Sequence, residues 1–225
     1  MSKWIYGAGL LAATSAANAQ TTVYSNDFTD GALNGFVGGA VTTSPNGQNF
    51  LGRFAGSSAP TGTALSLTGL DAHSTVTLSL RVSVIHSWDG STGPGPDTLR
   101  FRADGVDLLN ATFANLDGSQ QTYSDATPLG NAGQTAARTG MDVENYLGYP
   151  TFYYTDASYD LSFTFAHSAS TLNLTFDGLN LQDLSDESWG IDNVVVRTDG
   201  VVPEPASLAA VGLGVAALLR RRRRN

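Results

Sequence analysis

The chain has no cysteine and only one lysine, Lys3, in 225 residues. Without cysteine there are no disulfides, no thiol nucleophile, and no thiolate-held zinc or iron–sulfur cluster. If the fold needs a staple, a hard cation on oxygen ligands is the option left. Positive charge is scarce and unevenly placed: five of the twelve basic residues form the run Arg220 to Arg224. Residues 20–200 hold six arginines (53, 81, 100, 102, 138 and 197) against 19 acidic residues, a net of −13. A surface that acidic repels nucleic acid and anionic polymers and suits divalent cations or neutral sugars. Catalytic signatures are missing too. His73, His86 and His167 are scattered without H-x-x-x-H spacing, and there is no G-x-S-x-G elbow. A glycosidase-type carboxylate pair must sit ~5 to 9.5 Å apart across a cleft, which sequence spacing does not encode. The expectation is a protein that is not an enzyme.

Helical periodicity is absent between residues 20 and 200, and period-two alternation takes its place. Thr75 to Ile85 puts Val76, Leu78, Leu80, Val82 and Val84 on one face and polar residues on the other. Thr98–Ala103, Asp160–Ala166, Ser170–Phe176 and Ile191–Arg197 read as further strands, as do Val23–Phe28, Thr63–Leu67 and Val106–Phe113. Asp-Gly pairs at 30–31, 89–90, 104–105, 117–118 and 177–178 punctuate them, and the pair at 104–105 predicts a tight hairpin. Glycine is abundant, with 25 residues. Together these features predict an all-β fold, an antiparallel two-sheet jelly-roll sandwich over residues 20–200. Its first and last strands should pair, bringing residues near 27 and 192 together. Ser124 to Ala157 does not alternate and reads as a long loop carrying Tyr146, Tyr149, Phe152, Tyr153 and Tyr154.

The two ends read as addresses. Residues 1–19 have Lys3, an apolar stretch from Trp4 to Ala17, and the A-x-A pattern Ala17-Asn18-Ala19, which is the layout of a signal peptide. At the other end, Ala206 to Leu219 gives 14 uncharged, mostly apolar residues. A helix of that length covers about 21 Å at ~1.5 Å per residue, a short transmembrane helix against a ~30 Å hydrocarbon core. The arginines after it would face the cytoplasm, leaving the preceding domain outside. The order Pro203-Glu204-Pro205, apolar stretch, arginine cluster over residues 201–225 resembles the PEP-CTERM sorting signal. That resemblance implies export through the secretion machinery, recognition by a membrane-embedded exosortase, and cleavage near the Pro-Glu-Pro. Two prolines keep that junction out of a helix and accessible. The membrane is then a transient anchor, and the product is left in the cell envelope, at the cell surface or outside the cell.

Acidic residues gather in turns, at Trp88-Asp89-Gly90, Pro96-Asp97 and Asp186-Glu187-Ser188-Trp189 through Ile191-Asp192-Asn193. No segment matches the EF-hand loop. These stretches resemble bacterial surface jelly-roll modules. More distantly, Asn26-Asp27-Phe28 and the Ile-Asp-Asn-Val ending resemble jelly-roll carbohydrate-binding modules. By that resemblance Asp27 and Asp192 would hold a structural calcium. Asp89, Asp97 and Glu187 are further candidate ligands, and the alternative is that Asp192 and Asn193 only make hydrogen bonds at a strand entry. Tyr146, Tyr149, Trp88 and Trp189 are candidates for a sugar-stacking platform, the alternative being rings that cover the sandwich edge. Three functional readings follow. The first is a non-catalytic surface or matrix protein associated with exopolysaccharide or biofilm. The second is a carbohydrate-binding module, and the third a hydrolase or lyase acting on matrix polysaccharide.

Overall fold

The computed structural model describes residues 20–56, 61–93, 95–130, 133–150 and 156–200, and all regular structure among them is strand. The predicted signal peptide 1–19, Phe152, Tyr153, Tyr154, the Pro203-Glu204-Pro205 motif and the apolar stretch 206–219 lie outside the described residues.

The strands are β1 (Gln20–Asn26), β2 (Phe36–Val37), β3 (Val41–Thr43), β4 (Asn49–Phe54), β5 (Thr61–Thr68), β6 (Thr75–His86) and β7 (Thr98–Ala103). They continue as β8 (Val106–Thr112), β9 (Gln120–Gln121), β10 (Thr135–Ala136), β11 (Val143–Glu144), β12 (Ala157–Ala166), β13 (Thr171–Leu179) and β14 (Glu187–Asp199). One sheet runs β11-β12-β6-β14-β4-β3, with β1 also paired to β14. The second runs β2-β5-β13-β7-β8, and β9 and β10 form a small separate ribbon. Every ladder between named strands is antiparallel. The all-β two-sheet sandwich is therefore present, and its alternating apolar residues fill the space between the sheets. Val76, Leu78, Val82 and Val84 of β6 meet Leu99 and Phe101 of β7 and Leu172, Leu174 and Phe176 of β13 in one core.

The 104–105 hairpin forms as predicted. Ala103 pairs with Val106, and Asp104 and Gly105 both take positive φ (46° and 83°), the conformation that a two-residue turn of this hand requires. The first and last strands also pair, down to Asn26 opposite Val194.

Two stretches of strand were not visible as alternation. β4, Asn-Phe-Leu-Gly-Arg-Phe, is buried on both faces, and so is the first half of β14. On the outer side Leu147 packs on Phe50 of β4 and Ile85 of β6, and Tyr146 reaches Asp192 of β14. With both faces covered, period two disappears. β14 also carries a bulge. Asp192 lies opposite Arg81, but Val195 lies opposite Ser79, so one extra residue is accommodated around Asn193 (φ 51°). The bulge changes the phase of the strand, so that Ile191 and then Val194 and Val196 all face the core.

The predicted long loop is pinned at two points. The Gln121 side chain is fully buried. It accepts hydrogen bonds from Ala114 N and Arg138 N and donates to the carbonyls of Tyr123 and Thr139. Asp156, also fully buried, accepts from the backbone N–H groups of Leu147 (2.9 Å), Gly148 (2.8 Å) and Tyr149 (3.1 Å).

Candidate metal centre

The loop between β6 and β7 is built around one carboxylate. Asp97 Oδ2 accepts the backbone N–H groups of Asp89 and Gly90, the latter at 2.9 Å, and Asp97 N donates back to Gly90 O at 3.0 Å. Asp89 and Gly90 also form bridges to Ala114 and Gln120, which hold the loop against the chain beyond β8. Glycines let it close. A Cβ on Gly95 would sit 2.8 Å from Asp97 Oδ1, and one on Gly93 would sit 2.9 Å from Asp89 Oδ2. Beside this loop β14 begins. Glu187 pairs with His86, and its Oε2 accepts Gln182 N at 2.7 Å.

This arrangement brings Asp89, Asp97 and Glu187 together, with a carboxylate oxygen from each within 4.8 Å of the others. Asp97 and Glu187 are fully buried. Asp97 Oδ1 and Glu187 Oε1 are buried without a hydrogen-bond partner. Burial pushes the Asp97 carboxyl up to about 6. Burial, reinforced by the Asp97 charge, pushes Glu187 up to about 8. Asp89 is also raised, by burial and by Asp186. Five of the six described arginines are engaged elsewhere: Arg81 with Asp160, Arg100 and Arg102 with Asp177, Arg138 with Asp117, and Arg53 with Ser188 and Leu184 O. Three carboxylates so placed can share a proton, Glu187 donating to Asp97, or share a cation.

The five candidate ligands therefore fall into two places. Asp192 stands five residues beyond Glu187 on β14, about 16 Å at ~3.3 Å per residue, so one ion cannot take both. Asp192 shares a groove with Asp27, Thr29, Asn49, Tyr146 and Asn193. Its oxygens are already used: Oδ1 accepts Asn193 N (2.6 Å), and Oδ2 accepts the Tyr146 hydroxyl (2.7 Å). Burial holds its carboxyl above the usual range. Asp27 is exposed and closes a local turn through Thr29 N and Oγ1. Tyr146→Phe removes one hydrogen bond from Asp192 and should lower stability by about 1 kcal/mol in a urea titration.

The aromatic platform needs correction. Trp88 and Trp189 are both fully buried, so neither offers a face to a sugar. Trp88 donates from Nε1 to Ser188 O (2.9 Å), and Trp189 packs on Phe54 at 4.8 Å between centroids. Tyr146 and Tyr149 remain half-buried, each with a guanidinium over its ring, Arg81 at 4.4 Å and Arg53 at 4.6 Å. Asp156 was missed altogether, because a lone acid in an irregular stretch carries no pattern.

Beyond Asp199 the last strand leads straight into the C-terminal segment. A PEP-CTERM protein-sorting motif occupies residues 201–224. This motif marks the chain for export and for exosortase-mediated placement at the membrane or surface. Among curated proteins no sequence matches. Similar solved structures include the CBM22-1 xylan-binding domain of Paenibacillus barcinonensis Xyn10C, at 16% identity and TM-score 0.41, covering 83% of this chain and 100% of that one. The tandem CBM22-1-CBM22-2 domain of the same protein gives 18% identity and TM-score 0.41, covering 86% of this chain and 50% of that one. The K3 cleaved adhesin domain of Lys-gingipain from Porphyromonas gingivalis w83 gives 13% identity and TM-score 0.37, covering 78% and 98%.

Proposed function

We propose that this chain is an exported, exosortase-sorted surface or matrix protein, held among exopolysaccharide by a non-catalytic β-sandwich. The observation that carries this reading is the join between strand and signal. β14 ends at Asp199, and the sorting motif spans 201–224, so the sandwich stands directly at the processing point. The net acidity of residues 20–200 suits neutral polymer and cations rather than nucleic acid. A matrix hydrolase would need two carboxylates facing each other across an open cleft. The carboxylates that converge here include two that are fully buried and closed to a glycan.

A second reading, a carbohydrate-binding module, is favoured by the groove at Asp27, Asn49, Tyr146, Asp192 and Asn193. Carboxylate, amide and an aromatic edge in one groove suit the hydroxyls and apolar faces of a sugar. The chain should be expressed in an exosortase-proficient host and in its exosortase-null derivative. The expected product is a shortened chain in the surface and matrix fraction of the first and a full-length, membrane-held chain in the second. The same product in both hosts would sink the sorting reading. Retention that persists in a host making no exopolysaccharide would sink the matrix reading.

A further inference from the structure

We infer that Asp89, Asp97 and Glu187 form a calcium site, distinct from the groove at Asp27 and Asp192. The case starts from the two orphaned oxygens. Asp97 and Glu187 are fully buried, and each spends one carboxylate oxygen on backbone N–H groups. The other oxygen of each is buried without a partner. Leaving a buried anionic oxygen unsatisfied costs more than leaving a neutral one, and two of them close together repel. Calcium–oxygen distances of ~2.3 to 2.6 Å put two ligand oxygens up to about 5 Å apart across one ion. The observed limit of 4.8 Å among the three carboxylates falls within that reach.

The donor set also selects the ion. All three candidate ligands are carboxylates, which are hard donors, and there is no thiol anywhere in the chain. Magnesium keeps several of its waters and takes few protein ligands, which a site with two of its three carboxylates fully buried does not favour. Calcium tolerates irregular geometry and accepts carbonyls to complete its shell. An ion here would join the β6–β7 loop to the first residue of β14, two segments almost a hundred positions apart in the chain.

The competing arrangement is a shared proton, and a pair of variants separates the two. Glu187→Gln copies the shape of the protonated side chain, so it should fold without any cation. In the purified full-length chain, adding calcium after chelation should raise Tm by several degrees and load one calcium per chain. Glu187→Gln should keep its melt in chelator and weaken calcium binding at least ~10-fold. Asp192→Asn should leave the calcium response intact. Terbium provides an independent probe, because Trp88 adjoins Asp89 and should sensitise its emission in the wild type but not in Glu187→Gln. The inference is overturned by a melt that calcium does not move, by a calcium response that survives Glu187→Gln or vanishes in Asp192→Asn, or by an equal response to magnesium.

Discussion

Freed of divalent cations by chelation, the domain should become less stable as pH rises from about 5 to about 9. Glu187 sits at about 8 and Asp97 at about 6 in the folded chain, against ordinary values of 4.5 and 3.8. An acid whose folded pKa is raised binds more protons folded than unfolded. Its stabilisation is complete below the unfolded value and is lost as pH rises through the folded one. The loss therefore begins near pH 4 to 5 and is complete above pH 8. His86 works the other way: burial lowers it, so below its ordinary 6.5 it opposes folding as it takes up a proton. The clean window is consequently the alkaline half, where the Asp97–Glu187 pair gives up its last proton. The fall should read as a Tm lower by roughly 10 °C at the alkaline end for a domain of this size. Saturating calcium should flatten or reverse the slope, because cation and proton compete for the same oxygens. Thermal melts at matched ionic strength, with chelator and with calcium, check both halves. Stability that rises with pH in chelator would count against the assigned protonation of the trio.

Asp156→Ala should destabilise the domain by about 3 kcal/mol and release the loop it holds. Three backbone N–H groups converge on this one fully buried carboxylate. Each is a hydrogen bond to a charge, worth more than a neutral one, and truncation strands all three donors. Leu147 would then lose its seat on Phe50 and Ile85, exposing the outer face of β4 and β6. Urea unfolding gives the magnitude. Limited proteolysis across residues 140–157 reports the release, and Asp156→Asn, which keeps an acceptor in place, should fall in between. A loss below about 1 kcal/mol for Asp156→Ala would mean that the loop is held by something else.

The sandwich was legible because most of its strands have one dry face and one wet face. β6, β7 and β13 announce themselves residue by residue, and the Asp104-Gly105 turn adds local chemistry to the pattern. β4 and the start of β14 were hidden for the opposite reason: the loop at 145–149 dries their second face, and no local signal tells a strand that a distant loop will cover it. The site shows the same division. Asp89, Asp97 and Glu187 were marked as acids in turns, but their convergence depends on β14 pairing with the end of β6, which spacing does not encode. The two tryptophans were candidates for sugar stacking because an aromatic face suits the apolar face of a sugar ring. Packing between the sheets decides otherwise.

The position of β14 has a consequence for force. Along its length it is flanked by β6 on one side and by β4 and then β1 on the other, and its last residues pair with the first residues of β1. Asp199 at its end also accepts the N–H groups of Ser74 (2.9 Å) and Thr75 (2.6 Å). A pull transmitted through the C-terminal segment therefore enters the middle of the sheet rather than an edge. Antiparallel hydrogen bonds lie across the strand axis, so such a load strains many of them in shear together instead of unzipping them one by one. While the chain is still joined to the envelope, that geometry favours mechanical persistence under flow.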